Sequence, residues 1–347
     1  MLHSVCLANA ESGGRIQPAA APMPACDLAR VESAAARIAG HVLRTPLVAS
    51  AALTRCCGLP VHLKLETRQP TGAFKLRGAM NALLALDEDA RRRGLVTAST
   101  GNHGRAVAHA ARAAGVRAVV CMSALVPAHK VDAVRALGAE VRIVGRSQDD
   151  AQAEVERLVA EQGLTPIPPF DHPDVVAGQG TIGLELIDDL PELDLVLVPL
   201  SGGGLAGGIA VAVRALRPCA RVVGVSMERG AAMAAAIAAG QPVDVAEQET
   251  LADSLGGGIG LNNQLTFRLC HALLDGVVLL TENEIAAGIR HAAREEHGEV
   301  VEGAGAVGIA ALLCGKIRPM GPTAVVVSGG NIDAALHRRI VAGDAPS

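Results

Sequence analysis

The segment Thr71-Gly72-Ala73-Phe74-Lys75-Leu76-Arg77-Gly78-Ala79 sets one lysine among small and apolar neighbours. Desolvation disfavours an ammonium ion, so a lysine in such a setting loses its proton more readily than one in water. The neutral amine can attack an aldehyde and hold it as a Schiff base. One helix further on, Ser99-Thr100-Gly101-Asn102-His103-Gly104 gathers hydroxyls, an amide and an imidazole at a predicted helix start. A buried helix start could carry the same residue types, so the lysine segment gains its meaning from its partners further along the chain.

Ser201-Gly202-Gly203-Gly204-Leu205-Ala206-Gly207-Gly208 comes after an apolar strand and opens a helix. Bare main-chain N–H groups at a helix start, favoured by the helix dipole, make an anion site suited to a phosphate. A tight turn alone does not need three successive glycines. Gly202, Gly204 and Gly207 also satisfy the dinucleotide fingerprint, with Glu228 near the end of the next strand where a ribose-binding acid would stand. That alternative, a nicotinamide-dependent oxidoreductase, leaves the lysine and asparagine segments without work and is the weaker reading.

Composition narrows the classes further. The 347 residues carry 31 Lys and Arg against 35 Asp and Glu, a net charge of −4, with no dense basic run. Aromatic residues make up 1 % of the chain. Nucleic-acid binding, which calls for a basic stripe or stacking rings, is not expected. No apolar run reaches the roughly 18 residues of a spanning helix, so no membrane partner is expected. The eight cysteines are scattered, with no C-x-x-C spacing, which fits reduced thiols and a cytoplasmic location. Trp and Tyr are absent, so proton chemistry must use Lys, His, carboxylates or hydroxyls. Residues 1–26 lack the pattern of a secretory signal and are expected to be a disordered extension.

The order of elements is that of an α/β protein. Asp27 caps a helix over 26–39, and residues 61–66 alternate as a strand. A helix is predicted over 78–93, stopped by Gly94 and ending in a solvated Arg91-Arg92-Arg93. Strand–helix units come next, with strands at 96–98, 118–122 and 141–144 and helices over 104–114, 126–137 and 147–162. Each helix closes on a glycine, as left-handed C′ positions favour. Later come a helix over 179–189, a strand at 195–199, a helix over 205–216, and strands at 221–226 and 323–327. Apolar strands alternating with helices predict right-handed crossovers and two doubly wound domains with mainly parallel sheets. The expected division is 27–93 with 166–347 as a large domain and 94–165 as a small one.

Across residues 28–340 the chain resembles the threonine/serine dehydratase group of fold-type II pyridoxal-phosphate enzymes, which share the tryptophan synthase β-like fold. The resemblance rests on the lysine segment 71–79, the Ser-Thr-Gly-Asn-His-Gly run, the glycine loop, Glu302 in Val-Glu-Gly-Ala-Gly, and Ser328-Gly329-Gly330-Asn331. It implies pyridoxal 5′-phosphate in the cleft between two domains. Lys75 would hold the cofactor and remove the substrate's α-proton. Phe74 would lie beside the ring, Asn102 would hydrogen-bond its 3′-hydroxyl, and Glu302 would belong to the same site. The amides of Gly202, Gly203, Gly204 and Leu205 would bind the phosphate, and Ser328 would meet the pyridine nitrogen. A hydroxyl there leaves that nitrogen largely unprotonated, which favours quick loss of a β-substituent over transamination. The substrate carboxylate would sit against Ser99, Thr100, Asn102 and His103 at a helix start, although His103 could equally cap its helix without touching substrate.

Several residues depart from the family pattern. Thr100 stands where many dehydratases carry a serine, so racemisation is not expected. Ser226 stands where relatives that bind a divalent cation carry a glutamate, with Glu228 close by, so no metal is expected. Gly303 replaces the usual proline. With Thr100 and the Gly256–Asn263 run, Gly303 makes the chain look most like the hydroxyectoine-utilisation dehydratases. The implied activity is dehydration and deamination of a β-hydroxy-α-amino acid, a hydroxy-diamino acid first, then threonine or serine, then 3-hydroxyaspartate. A non-catalytic ligand-binding relative would not need Lys75. A homodimer is the family expectation.

Overall fold

The computed structural model describes residues 26–99 and 101–344. The expected extension over 1–25 and the candidate Thr100 lie outside the described residues. Cys26 is buried against Val31, Val176 and Val211.

Ten strands are described: β1 (Leu47–Ala49), β2 (Val61–Leu65), β3 (Leu95–Ala98), β4 (Ala118–Met122), β5 (Glu140–Ile143), β6 (Thr165–Pro166), β7 (Leu195–Pro199), β8 (Arg221–Met227), β9 (Gly276–Leu280) and β10 (Thr323–Val327). They form a six-stranded sheet in the order β1-β2-β10-β7-β8-β9 and a four-stranded sheet in the order β5-β4-β3-β6. Every pairing is parallel except β1 with β2. Strands β4, β7 and β10 are buried along their whole length, as continuous apolar runs between helical layers require. In open parallel sheets ligands gather beyond the carboxyl ends of the strands. The glycine loop lies just after β7, the Ser328 segment just after β10, and the Ser99 turn just after β3.

Helix ends obey local chemistry. The Asp27 carboxylate accepts from Arg30 N, and Ser147 and Asp150 form a reciprocal capping box. The expected single helix over 78–93 is instead two, Lys75–Ala85 and Glu88–Arg93. Asp87 breaks it, because its side chain accepts from Ala90 N and serves better as a cap than inside a helix. The first of these helices begins at Lys75 itself.

The helix expected over 179–189 begins earlier, at Pro173, and runs through Gly178, Gly180 and Gly183. These glycines do not break it; they let it touch its neighbour. A Cβ on Gly178 would stand 2.6 Å from Arg77 O and 2.7 Å from the Cα of Gly78. The helix carrying Lys75 therefore lies on bare main chain. Two residues further along it, Arg77 is fully buried with Glu66. Its guanidinium donates to both oxygens of Glu66 at 2.8 and 2.9 Å, and reaches Glu185 at 2.6 and 2.9 Å. Lys64, also buried, meets Glu185 at 2.6 Å. Among the described residues no helix is long and apolar enough to cross a membrane.

Candidate active site

Lys75 opens its helix directly after Phe74, whose ring centroid lies 5.2 Å from the amine. The preceding chain is stitched to the Ser328 segment: Phe74 N donates to Ser328 O at 3.0 Å, and Ala73 pairs with Gly329. Lysine and serine thus belong to one hydrogen-bonded unit. The Lys75 amine donates to Pro169 O at 2.8 Å, and among the described residues no carboxylate pairs with it directly. Burial lowers its pKa to about 8, with Glu302 at longer range pulling the other way. An amine that sheds its proton this easily suits carbonyl capture.

Asn102 begins the helix Asn102–Ala114 and donates to Glu302 Oε1 at 2.7 Å. Glu302 caps the helix Gly303–Leu313 and is almost wholly buried. Burial first, and the charge of Asp253 second, raise its pKa to about 7 against the Asn102 hydrogen bond. Asn331 donates to Asn102 Oδ1 at 2.6 Å and to Thr71 O at 2.8 Å, and accepts from Arg105 at 2.7 Å. Three distant stretches of chain therefore meet at Asn102, and Asn331 joins a fourth, through Thr71, to them.

The glycine loop leads from β7 into the helix Gly204–Leu216, with Gly203 in the left-handed region at φ 85°. A Cβ on Gly202 would overlap the Phe170 ring. One on Gly203 would stand 2.7 Å from Met233 Cε and 2.9 Å from Cys270 Sγ. Side chains are excluded there by packing, while the first amides of the helix lack partners within it. That is a cradle for an anion.

Ser99 Oγ accepts from Gly104 N at 3.0 Å, so the hydroxyl ties down its own turn. His103 is buried, and its Nε2 meets Ile167 O at 2.9 Å. Glu228, the acid that the dinucleotide reading required, is exposed and paired with Lys316 at 3.3 Å. Gly303 opens its helix where a Cβ would overlap Leu251 O, so close approach of the 251–252 chain accounts for a glycine there. A cavity of about 1100 Å³ adjoins Asn102 and Glu302, with Arg105, Lys130, Arg229 and Asp253 on its walls and Gly256 of the glycine-rich loop at its edge.

Arg105, Pro169 and Phe170 are absent from the sequence-based candidates. Arg105 reads in sequence as an ordinary helix charge, and Pro169 contributes only its carbonyl. Asn331 is visible as part of a motif, but nothing in the sequence says which side chain it meets.

The residues fit pyridoxal phosphate: a desolvated lysine, an amide donor in the turn after β3, a side-chain-free anion cradle after β7 and a buried hydroxyl after β10. Comparison with known proteins agrees. Residues 38–329 match the family model described as "Pyridoxal-phosphate dependent enzyme". The chain is 61 % identical over 317 residues to a Sinorhizobium fredii protein under a provisional threonine dehydratase name, covering 91 % of this chain and 95 % of that one. It is 41 % identical to the L-threonine ammonia-lyase of Thermotoga maritima, covering 86 % and 74 %. The structure of maize serine racemase superposes with a TM-score of 0.86 at 33 % identity, covering 90 % of this chain and 95 % of that one. With the cradle, the lysine and these likenesses together, the chain belongs to the family of pyridoxal-phosphate dependent enzymes.

Proposed function

We propose that this lyase dehydrates and deaminates a β-hydroxy-α-amino acid, giving a 2-oxo acid and ammonia, with threonine or serine as the substrate its relatives favour. The reading rests on one observation: the segment of the desolvated Lys75 is tied by Phe74 N to Ser328 O, which sets a serine, not a carboxylate, beside it just after β10. When bound, pyridoxal phosphate supplies the electron sink that makes the substrate's α-proton removable. Lys75 Nζ, neutral near pH 8, takes that proton. The Ser328 hydroxyl would meet the ring nitrogen without adding charge. The amides of Gly202, Gly203, Gly204 and Leu205 would hold the phosphate, and Phe74 would border the ring. Asn102 would donate to the 3′-oxygen, with Glu302 bonded to its amide. Main-chain N–H groups of the Ser99–His103 turn receive the substrate carboxylate. The β-hydroxyl would leave as water, taking up the proton held on the Lys75 ammonium, and the freed enamine would take up water to yield the 2-oxo acid and ammonia.

A finer reading, a hydroxyectoine-derived hydroxy-diamino acid, rests on Thr100, Gly303 and the Gly256–Asn263 run in the sequence. The protein is further proposed to act as a cytoplasmic homodimer, which sedimentation of the purified protein would check for mass. The decisive experiment is the visible spectrum of the purified protein before and after borohydride, alongside Lys75→Ala. A visible band that borohydride discharges in the native protein but not in the variant supports the reading. 2-Oxo acid release from threonine, serine and larger hydroxy-diamino acids then ranks the substrates. No visible band with added pyridoxal phosphate would sink the proposal.

A further inference from the structure

Asn102, Asn331, Arg105 and Glu302 form a chain of hydrogen bonds in which every donor is fixed by its neighbours. Arg105 lies three residues after Asn102 on one helix, so the two side chains share a face. A guanidinium can only donate, and its Nη1 lies 2.7 Å from Asn331 Oδ1. The Asn331 amide nitrogen then spends both its N–H groups, on Thr71 O at 2.8 Å and Asn102 Oδ1 at 2.6 Å. Asn102 Nδ2 donates to the Glu302 carboxylate at 2.7 Å. Turning over either amide would set oxygen against oxygen and N–H against N–H at once. With a cation at one end and a carboxylate at the other, both terminal bonds are charge-assisted. Gly72 makes room for this arrangement: its φ is 73°, and a Cβ there would stand 2.8 Å from Asn331 Oδ1.

We infer that Arg105 and Asn331 are positioning residues that lock Asn102 as a hydrogen-bond donor, leaving one of its N–H groups for an acceptor oxygen in the cleft. The inference deepens the proposed function and rests on its assignment of Asn102 to the cofactor's 3′-oxygen. The locked amide discriminates in favour of an oxygen that accepts, and so of the ionised 3′-oxygen over the hydroxyl. Without Arg105, only the Thr71 carbonyl would still hold Asn331, and through it Asn102, against turning over once Glu302 gains a proton.

The test uses holoenzyme of the native protein, Arg105→Leu, Arg105→Lys, Asn331→Ala, Asn102→Ala and the Asn102→Ala/Arg105→Leu pair. The readouts are the pH dependence of the visible band, the rate of pyridoxal phosphate loss on dilution, and the melting temperature. Arg105→Leu and Asn331→Ala are expected to speed cofactor loss about tenfold and to shift the pH dependence of the band, the scale of one lost hydrogen bond to a charged partner. Arg105→Lys keeps a donor and should restore most of the native behaviour. In the pair, Arg105→Leu should add little to Asn102→Ala, because the first substitution acts through the second residue. Full additivity in the pair, or a lower melting temperature with a native band and native cofactor loss, would overturn the relay. A native band and native cofactor loss in Asn102→Ala would instead overturn the assignment of Asn102 beneath it.

Discussion

Lys75 and His103 hang from the same short stretch of main chain. The amine donates to Pro169 O at 2.8 Å, and the imidazole Nε2 meets Ile167 O at 2.9 Å. A carbonyl can only accept, so Nε2 carries the proton and Nδ1 is a bare acceptor, buried without a partner among the described residues. Burial, and then the charge of Lys75, lower the His103 pKa to about 3. A neutral ring with its lone pair free cannot donate to a carboxylate from Nδ1.

The neutral imidazole has a thermodynamic signature. Between about 3 and 6.5 the unfolded chain binds a proton at His103 that the folded chain does not. Stability from this group therefore rises with pH across that window and is lost as pH falls. His103→Phe should show a flatter rise of urea midpoint between pH 4 and pH 6.5 than the native protein, on the order of the single-group linkage slope. An unchanged slope would mean that the histidine protonates in the fold.

Lys75 should titrate far below an ordinary lysine. Labelling by acetic anhydride, tracked peptide by peptide, is expected to show a midpoint of about 8 at this residue. Glu302→Gln removes a negative charge that favours the ammonium, so the midpoint should fall further in that variant. A midpoint at the usual lysine value would show that the amine is solvated.

Gly202→Ala places a methyl group against the Phe170 ring. Overpacking of this kind costs about 1–3 kcal/mol, and the displaced loop should hold phosphate less well. Urea unfolding and cofactor retention should both suffer, and Phe170→Leu in the same chain should recover part of each. Normal cofactor retention in Gly202→Ala would argue that the loop does not bind the phosphate.

The ion cluster beneath the lysine helix is a separate test of stability. Burial alone would raise the Glu66 carboxyl, yet Arg77, Thr45 and Lys64 together hold it below its ordinary range. Arg77→Met takes the ion-pair partner from the buried Glu66 carboxylate, leaving Glu185 to Lys64, and should cost about 3–5 kcal/mol. Chemical denaturation measures this directly; a loss under about 1 kcal/mol would place the pair in the class of solvated ion pairs.

Most of the frame is legible in the sequence because its signals are local. Short apolar runs such as 195–199 and 323–327 suit strands buried on both faces, and Gly115 and Gly163 sit at helix ends where a left-handed residue is needed. What stays hidden depends on distance or on ambiguous residues. Glycine punctuates a helix in isolation, so the start at Pro173 is masked by Gly178, whose purpose lies on another helix. Asp87 looks like one polar residue in a periodic run until its carboxylate is seen to cap. In the site, Lys75, Asn102 and the glycine loop stand out by type and spacing, while Glu302 and Ser328 enter through the family resemblance. Arg105 does not, because its partner Asn331 lies 226 residues away. The helices Glu282–Glu295 and Gly303–Leu313, between the glycine-rich loop and the last strand, are absent from the sequence-based reading.

Gly78 and Gly178 meet with no side chain between them. A joint between side chains can loosen with warmth as rotamers exchange, but this one has no rotamers to exchange. At this crossing the helix that begins at Lys75 touches peptide units directly, and a side chain at either glycine must push the two rods apart. The height of the reactive nitrogen above the neighbouring helix is thus fixed at this point like a mark on a ruler, by main-chain thickness.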